Sequence, residues 1–105
     1  MFHYNMHMAK CSQCGKEIDK PVISISGSIM GDEYIASYYF CNKCRVYTKE
    51  NVHDQFCGEE SVSTSGPLTK AEGDAKVTLI KRCPTPWDKK CRCPAHKEYF
   101  GPSLD

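Results

Sequence analysis

The sequence predicts a small α+β domain that leans toward β structure and is held together by cross-links at its cysteines. The chain has 105 residues, enough for one compact domain with a modest core. Runs of β-branched and aromatic residues are its clearest secondary-structure signal. Eight residues are cysteines, several times ordinary usage. A chain this short buries little of its surface, so cross-links would supply stability that the core cannot.

The cysteines fall into two blocks with a polar segment between them. The stretch from Gly58 to Asp74 is polar and rich in small residues, which is typical of a loop at least up to Pro67. The spacing in the second block does not reproduce that of the first, so there is no internal repeat. We therefore predict an N-terminal extension at 1–10, a first half at 11–57, a polar loop at 58–68 and a second half at 69–105, with the halves packed as one unit.

The first half contains a predicted β-hairpin. One run, 22–30, is rich in β-branched residues, and a second, 33–40, is rich in aromatic residues. Gly31 and Asp32 lie between the two runs as a turn signal. Gly27 interrupts the first run, where a glycine predicts a bulge or bend.

The second half is predicted to contain one short helix. Thr69 and Glu72 have the spacing of a capping box, and Ala71, Ala75 and Leu79 follow at helical intervals. A strand at 75–80 is the alternative, because that segment contains several β-branched residues. Prolines shortly after Cys83 end either element.

Two C-x2-C pairs, Cys11 with Cys14 and Cys41 with Cys44, mark the first candidate metal site. At this spacing two thiolates from one tight turn reach the same tetrahedral ion, and four sulfurs leave no open position. Gly15 suits a turn that requires positive φ. The segment from Cys11 to about Tyr47 resembles a zinc ribbon, in which two such knuckles hold one zinc ion beside a hairpin. The resemblance implies a structural zinc site and a metal-stapled, zinc-ribbon-like N-terminal half.

Two other chemistries are open to these four cysteines. A C-x2-C pair can be a redox dithiol, but such a motif precedes a helix in a βαβ unit, and Cys14 is followed by Gly15 and a polar segment up to Pro21. The same four sulfurs can hold iron, as in rubredoxin-like proteins. The pair Cys41–Cys44 lacks the proline and glycine usual in rubredoxin-like knuckles. Zinc is the predicted metal, with iron as the alternative.

The second block offers five ligand candidates for a site that normally takes four. The candidates are Cys57, Cys83, Cys91, Cys93 and His96. Spacing does not select four of them, so the fifth would be a buried small residue or a free thiol. An iron–sulfur cluster on the four cysteines is a further alternative. We leave His3, His7 and His53 outside the site, because isolated histidines are more often ordinary polar residues.

The charge of the chain depends on its metal state. The formal charge is +1, but eight thiolates with two divalent ions would lower it to −3. This disfavours a strong non-specific nucleic-acid binder. Six basic residues between Lys81 and Lys97, with Trp87, Tyr99 and Phe100 nearby, could contact nucleic acid. We favour the alternative that they offset thiolate charge while Trp87 packs over the metal site.

The predicted function is a non-enzymatic interaction module that binds two zinc ions in the cytoplasm. The N-terminus lacks the basic and apolar regions of a secretory signal, and no apolar segment is long enough to span a bilayer. The expected partner is another protein, with nucleic acid second and no membrane. An iron redox protein is the alternative function. Asp88 and Glu98, the carboxylates of the second block, lie in no recognisable catalytic motif. The partner's identity, the process and the oligomeric state are open.

Overall fold

A four-stranded antiparallel meander forms the centre of the computed structural model, which describes residues 9–55, 58–102 and 104. Its four strands lie in sequence order, and a small second sheet pairs the first two strands of the chain. The elements are β1 (Ala9–Lys10), β2 (Glu17–Ile18), β3 (Ile23–Ile29), β4 (Asp32–Cys41), β5 (Val46–Asp54), β6 (Glu60–Leu68), α1 (Lys70–Lys81) and α2 (Pro94–Phe100). The prediction of a small, β-leaning α+β fold is confirmed at this level.

The predicted hairpin is β3 and β4. Its register runs without interruption from the pair Ile23 and Tyr38 to the pair Ile29 and Asp32. Met30 and Gly31, with φ of 53° and 87°, form the two-residue turn, since positive φ at both positions matches the twist of the strands. The bulge predicted at Gly27 is wrong. Gly27 is glycine because a Cβ there would lie 2.5 Å from Cε2 of Phe100, so the α2 ring packs directly on the strand.

The loop predicted at 58–68 is also wrong, because Glu60–Leu68 forms β6 against β5. Its residues are almost all exposed, which is why no hydrophobic alternation marks the strand. Backbone hydrogen bonds to β5 form the ladder, and these do not require apolar side chains. A polar sequence is typical of an edge strand that must not pair further. The segment is thus a strand with the composition of a loop.

Two helices cover one face of the meander. Helix α1 begins at the predicted capping box, with Thr69 Oγ1 accepting from Glu72 N at 3.1 Å and Glu72 Oε1 accepting from Thr69 N at 2.9 Å. The strand alternative for 75–80 is therefore wrong. The prediction of one helix in this half is also wrong, because α2 follows with Cys93 as its N-cap and Pro94 in its first turn. At seven residues, α2 is too short to show a helical period.

The core draws on both halves of the sequence. Its buried members come from the sheet and from α1: Ile25, Ala36, Tyr38, Tyr47, Val77 and Ile80. Gly73 of α1 lies directly against the Tyr47 ring, and a side chain there would overlap it. The Tyr47 hydroxyl donates to Asp74 Oδ1 at 2.7 Å. The meander and α1 therefore form one packed body, onto which the cysteine-bearing turns are attached.

Candidate metal centres

The structure brings Cys11, Cys14, Cys41 and Cys44 together in a first cluster, with all four sulfurs within 4.8 Å of one another. One pair lies in the turn between β1 and β2. The other begins at the last residue of β4 and ends in the turn before β5. A bound ion here would connect the small sheet to one end of the meander.

Both turns of this cluster have the backbone geometry of a metal knuckle. Gln13 N donates to Cys11 Sγ, and Cys44 N donates to Cys41 Sγ, each at 3.4 Å. Such amides stabilise thiolate charge on a metal ligand. The residue after the second cysteine of each pair adopts positive φ: 81° at Gly15 and 59° at Arg45. Arg45 therefore occupies the conformation predicted for a glycine, although it carries a side chain.

The sulfur spacing fits a tetrahedral ion. Cys14 Sγ and Cys41 Sγ lie 3.9 Å apart, and four sulfurs about 2.3 Å from zinc would lie about 3.8 Å from one another. Without an ion, hydrogen bonding with Cys14 and then burial raise the pKa of Cys44 to about 12. Cys44 thus retains its proton until a bound cation stabilises the thiolate.

Cys83, Cys91, Cys93 and His96 form the second cluster, also with ligand atoms within 4.8 Å of one another. Cys83 Sγ lies 3.7 Å from Cys91 Sγ and 3.1 Å from His96 Nδ1. His96 Nδ1 lies 3.9 Å from Cys93 Sγ. Three sulfurs and one imidazole nitrogen form a complete four-donor set of a kind that structural zinc uses. The cluster joins the end of α1 to the first turn of α2.

His96 is fixed by a contact that the sequence does not reveal. The side chain is fully buried, and its Nε2 lies 2.7 Å from the carbonyl oxygen of Ser26. A carbonyl only accepts, so Nε2 carries the hydrogen and the lone pair of Nδ1 faces the sulfurs. Ser26 N in turn donates to Pro86 O at 2.8 Å. The edge strand β3 thereby supports both the histidine and the loop before Cys91.

The remaining predicted ligand and the excluded histidines are not part of either described cluster. Cys57, the fifth candidate, lies outside the described residues, as do His3 and His7, so a role for Cys57 stays a prediction. His53 lies on β5, where its Nε2 is 2.9 Å from Asp32 Oδ2. Its ring stacks on Tyr34 with the centroids 4.3 Å apart.

The basic segment around the second cluster is partly engaged within the protein. Arg92 Nη1 donates to the carbonyl oxygens of Lys89 and Cys91. Lys89 Nζ lies 3.7 Å from Glu33 Oε1. The prediction that Trp87 packs over the metal site is wrong, since 71% of Trp87 is exposed. Trp87 lies in the loop between Cys83 and Cys91, directly after Pro86, whose carbonyl oxygen accepts a hydrogen bond from Ser26 N on β3.

The two carboxylates of the second cysteine block, Asp88 and Glu98, make contacts outside the cluster. Asp88 Oδ1 accepts from Lys90 N at 2.9 Å within its own turn. Glu98 Oε1 lies 3.8 Å from Arg82 Nη1, with both side chains more than half exposed. These contacts are those of a turn and a weak surface ion pair.

The character of the helices and three comparisons with known proteins complete the description of these centres. In the part of the chain that the structure describes, neither helix has the length and apolar character needed to cross a membrane. Comparison with protein-family models, curated proteins and solved structures finds no match for this chain. The chemistry of the two four-donor clusters, each able to hold a metal ion, is therefore the basis for a functional conclusion.

Proposed function

We propose that this protein is a small cytoplasmic zinc protein with two structural metal sites, and that it acts as an interaction module for another protein. The main support is that all seven described cysteines and one buried histidine lie in two complete four-donor clusters. Isolated thiols would have no reason to converge in this way. Thiol ligands suit a reducing compartment such as the cytoplasm.

Zinc is the metal that these donors favour. A four-sulfur set and a set of three sulfurs with one imidazole are standard structural zinc sites, and the sulfur spacing of the first matches the tetrahedron. In small domains structural zinc contributes on the order of 10 kcal/mol to folding. The small core of a 105-residue chain supplies limited stability by itself, so a contribution of this size would be important for folding.

Both sites have the donors of a structural site. Four protein ligands complete a tetrahedral shell, whereas catalytic zinc keeps one position for water or substrate. The hydrogen bond from His96 to the Ser26 carbonyl holds the fourth ligand in place. We therefore assign the protein a non-enzymatic role.

The exposed apolar side chains supply the proposed contact surface. Trp87 and Met30 leave 71% and 88% of their surface exposed, and Val62 leaves 49%. Exposed tryptophan is a frequent anchor in protein interfaces. Trp87 lies in the loop closed by two cluster cysteines, so the second site would position it. Seven thiolates add seven negative charges and two divalent ions add four positive ones, so the formal charge of +1 becomes −2. This favours a protein partner over general nucleic-acid binding.

Native mass spectrometry of the purified protein, combined with an absorption spectrum, tests the proposal. We expect a colourless protein with two zinc equivalents, and unfolding when a chelator removes both. The same sulfur donors also accept iron, so visible absorption with stoichiometric iron would instead establish the redox alternative. Full retention of tertiary NMR dispersion after complete metal removal would contradict structural sites. For the interaction role, Trp87→Ala should weaken binding to a partner recovered by crosslinking, with Thr64→Ala, an exposed change on β6, as the control.

A further inference from the structure

A cavity of about 290 Å³ lies on the helix-facing side of the meander. It is lined by none of the residues of the two clusters. The walls come from β3, β4, β5 and α2, and most of the lining side chains are aromatic or aliphatic. Small-molecule sites combine such apolar walls with a few polar groups, and this volume lies near the lower end of their range.

Three polar side chains enter the cavity from a single strand. Lys49, Asn51 and His53 alternate along β5 and line the cavity together. Lys49 and His53 are four residues apart, so their backbones are separated by about 13 Å. The cavity therefore has a lysine at one end and a histidine at the other, with an amide between them. Within the described part of the chain, the Asn51 side chain has no hydrogen-bond partner.

The lysine end carries positive charge that no described carboxylate balances. Lys49 Nζ lies 5.9 Å from the centroid of the Tyr38 ring and 5.8 Å from that of Tyr99. Lys76 Nζ lies 5.4 Å from the centroid of the same Tyr99 ring. Burial, and then the charge of Lys76, lower the pKa of Lys49. Lys76 does not line the cavity, but its charge acts on Lys49 and adds to the positive potential at this end, which favours an anion beside Lys49.

The opposite end is aromatic and has a different charge balance. The rings of Tyr34 and His53 are stacked with an interplanar angle of 14°, and both line the cavity. Asp32 Oδ2 holds His53 Nε2 at 2.9 Å, which places a carboxylate at this end. A planar ring would pack against this pair, whereas an anionic group would be repelled by Asp32. The cavity is thus polarised along β5.

From this geometry we infer that the cavity binds a nucleoside monophosphate unit, with its phosphate at Lys49, where Lys76 adds positive charge from outside the cavity, and its base at the Tyr34–His53 stack. A nucleoside monophosphate carries an anion and a planar ring at its two ends, as the cavity requires. Asn51 lies between the ends, where its amide can bond a sugar hydroxyl or the edge of the base. The unit can be a free nucleotide or one residue of a single strand. This inference does not depend on the protein partner proposed above.

Calorimetric titration of the metal-replete protein tests it with four probes: AMP, adenosine, inorganic phosphate and a short oligoadenylate. We expect AMP to bind more tightly than either of its parts. Lys49→Gln should weaken AMP binding about tenfold, as for loss of a charge-assisted hydrogen bond at a half-buried side chain. Lys76→Gln, an exposed change that leaves the core intact, should weaken it about threefold. Lys81→Gln removes the same charge elsewhere on α1 and should leave it unchanged. Zinc content and circular dichroism verify that each variant is folded.

The affinities for AMP and for the oligoadenylate distinguish a free nucleotide from one residue of a single strand. Tighter binding of the oligoadenylate than of AMP, with the same sensitivity to Lys49→Gln, identifies a single strand, and equal binding identifies the free nucleotide. Three results would overturn the inference: no AMP binding at millimolar concentration, phosphate binding as tightly as AMP, or nucleotide binding that is indifferent to Lys49→Gln.

Discussion

The two metal centres have complete donor sets but differ in how they are attached to the fold. The first is formed by two turns at one end of the meander, and Cys14 is exposed. The second joins both helices and the edge strand β3, through a histidine that is fully buried. A metal ion in the first centre would hold a peripheral two-stranded sheet in place, whereas one in the second would hold α2 against the core. Because the two centres are attached to different parts of the fold, loss of a ligand is predicted to affect stability differently at each.

Removal of a ligand from the second centre should have the largest effect. Cys83→Ala takes away a buried donor, and we expect the loss of a large part of the about 10 kcal/mol that a structural zinc contributes. Helix α2 should detach and the core should open. Urea unfolding with zinc quantification measures this. The matched change is Cys14→Ala in the first centre, which should lose one zinc but keep the cooperative transition of the meander. Equal loss of stability in both variants would refute the difference between the centres.

Gly27→Ala tests the packing that connects α2 to the sheet. The new methyl group would overlap the Phe100 ring, so we expect a loss of about 1–3 kcal/mol in the free energy of unfolding. Because Phe100 and His96 lie on the same short helix, zinc affinity at the second centre should also fall. Competition with a chelator measures the affinities of the two centres separately. An equal decrease at both would show that α2 does not transmit the change.

The capping box of α1 provides a smaller, pH-dependent effect away from both centres. Thr69→Ala should cost about 1 kcal/mol, with zinc content unchanged. Hydrogen bonds from the Thr69 backbone and then its side chain lower the pKa of Glu72. A lowered pKa in the folded state means that this contribution is present above the ordinary Glu value of 4.5 and is lost as the pH falls through the lowered value. Urea titrations at two pH values should show a smaller penalty for Thr69→Ala in acid, and a constant penalty would contradict the assignment.

Arg45→Gly should have the smallest effect, and it should be stabilising. Arg45 adopts a φ of 59°, which costs a residue with a side chain about 1 kcal/mol, while glycine adopts it freely. The gain is partly offset by the greater freedom of glycine in the unfolded chain. We expect a slightly higher zinc affinity at the first centre and an unchanged zinc affinity at the second. Arg82→Gly, at an exposed position without positive φ, is the control.

Sequence patterns correctly predicted those parts of the structure whose contacting residues are close together in the sequence. Cys-x2-Cys spacing fixed the two knuckles, because residues three apart in a tight turn share one ion whatever surrounds them. The capping box and the turn at Gly31 were likewise readable, since their partners are close in sequence. β6 was missed because backbone pairing leaves no side-chain signal on an exposed edge strand, and α2 because seven residues are too few for a helical period.

The sequence by itself therefore determined the donor types, the first set of four and the hairpin beside it. Only the tertiary structure decided which residues of the second block converge, because His96 is selected by the Ser26 carbonyl, 70 residues away in sequence. The alignment of Lys49, Asn51 and His53 along a cavity was likewise decided by packing, since α2 supplies the opposite wall. Residue spacing determines short-range geometry, whereas long-range contacts depend on how strands and helices pack together.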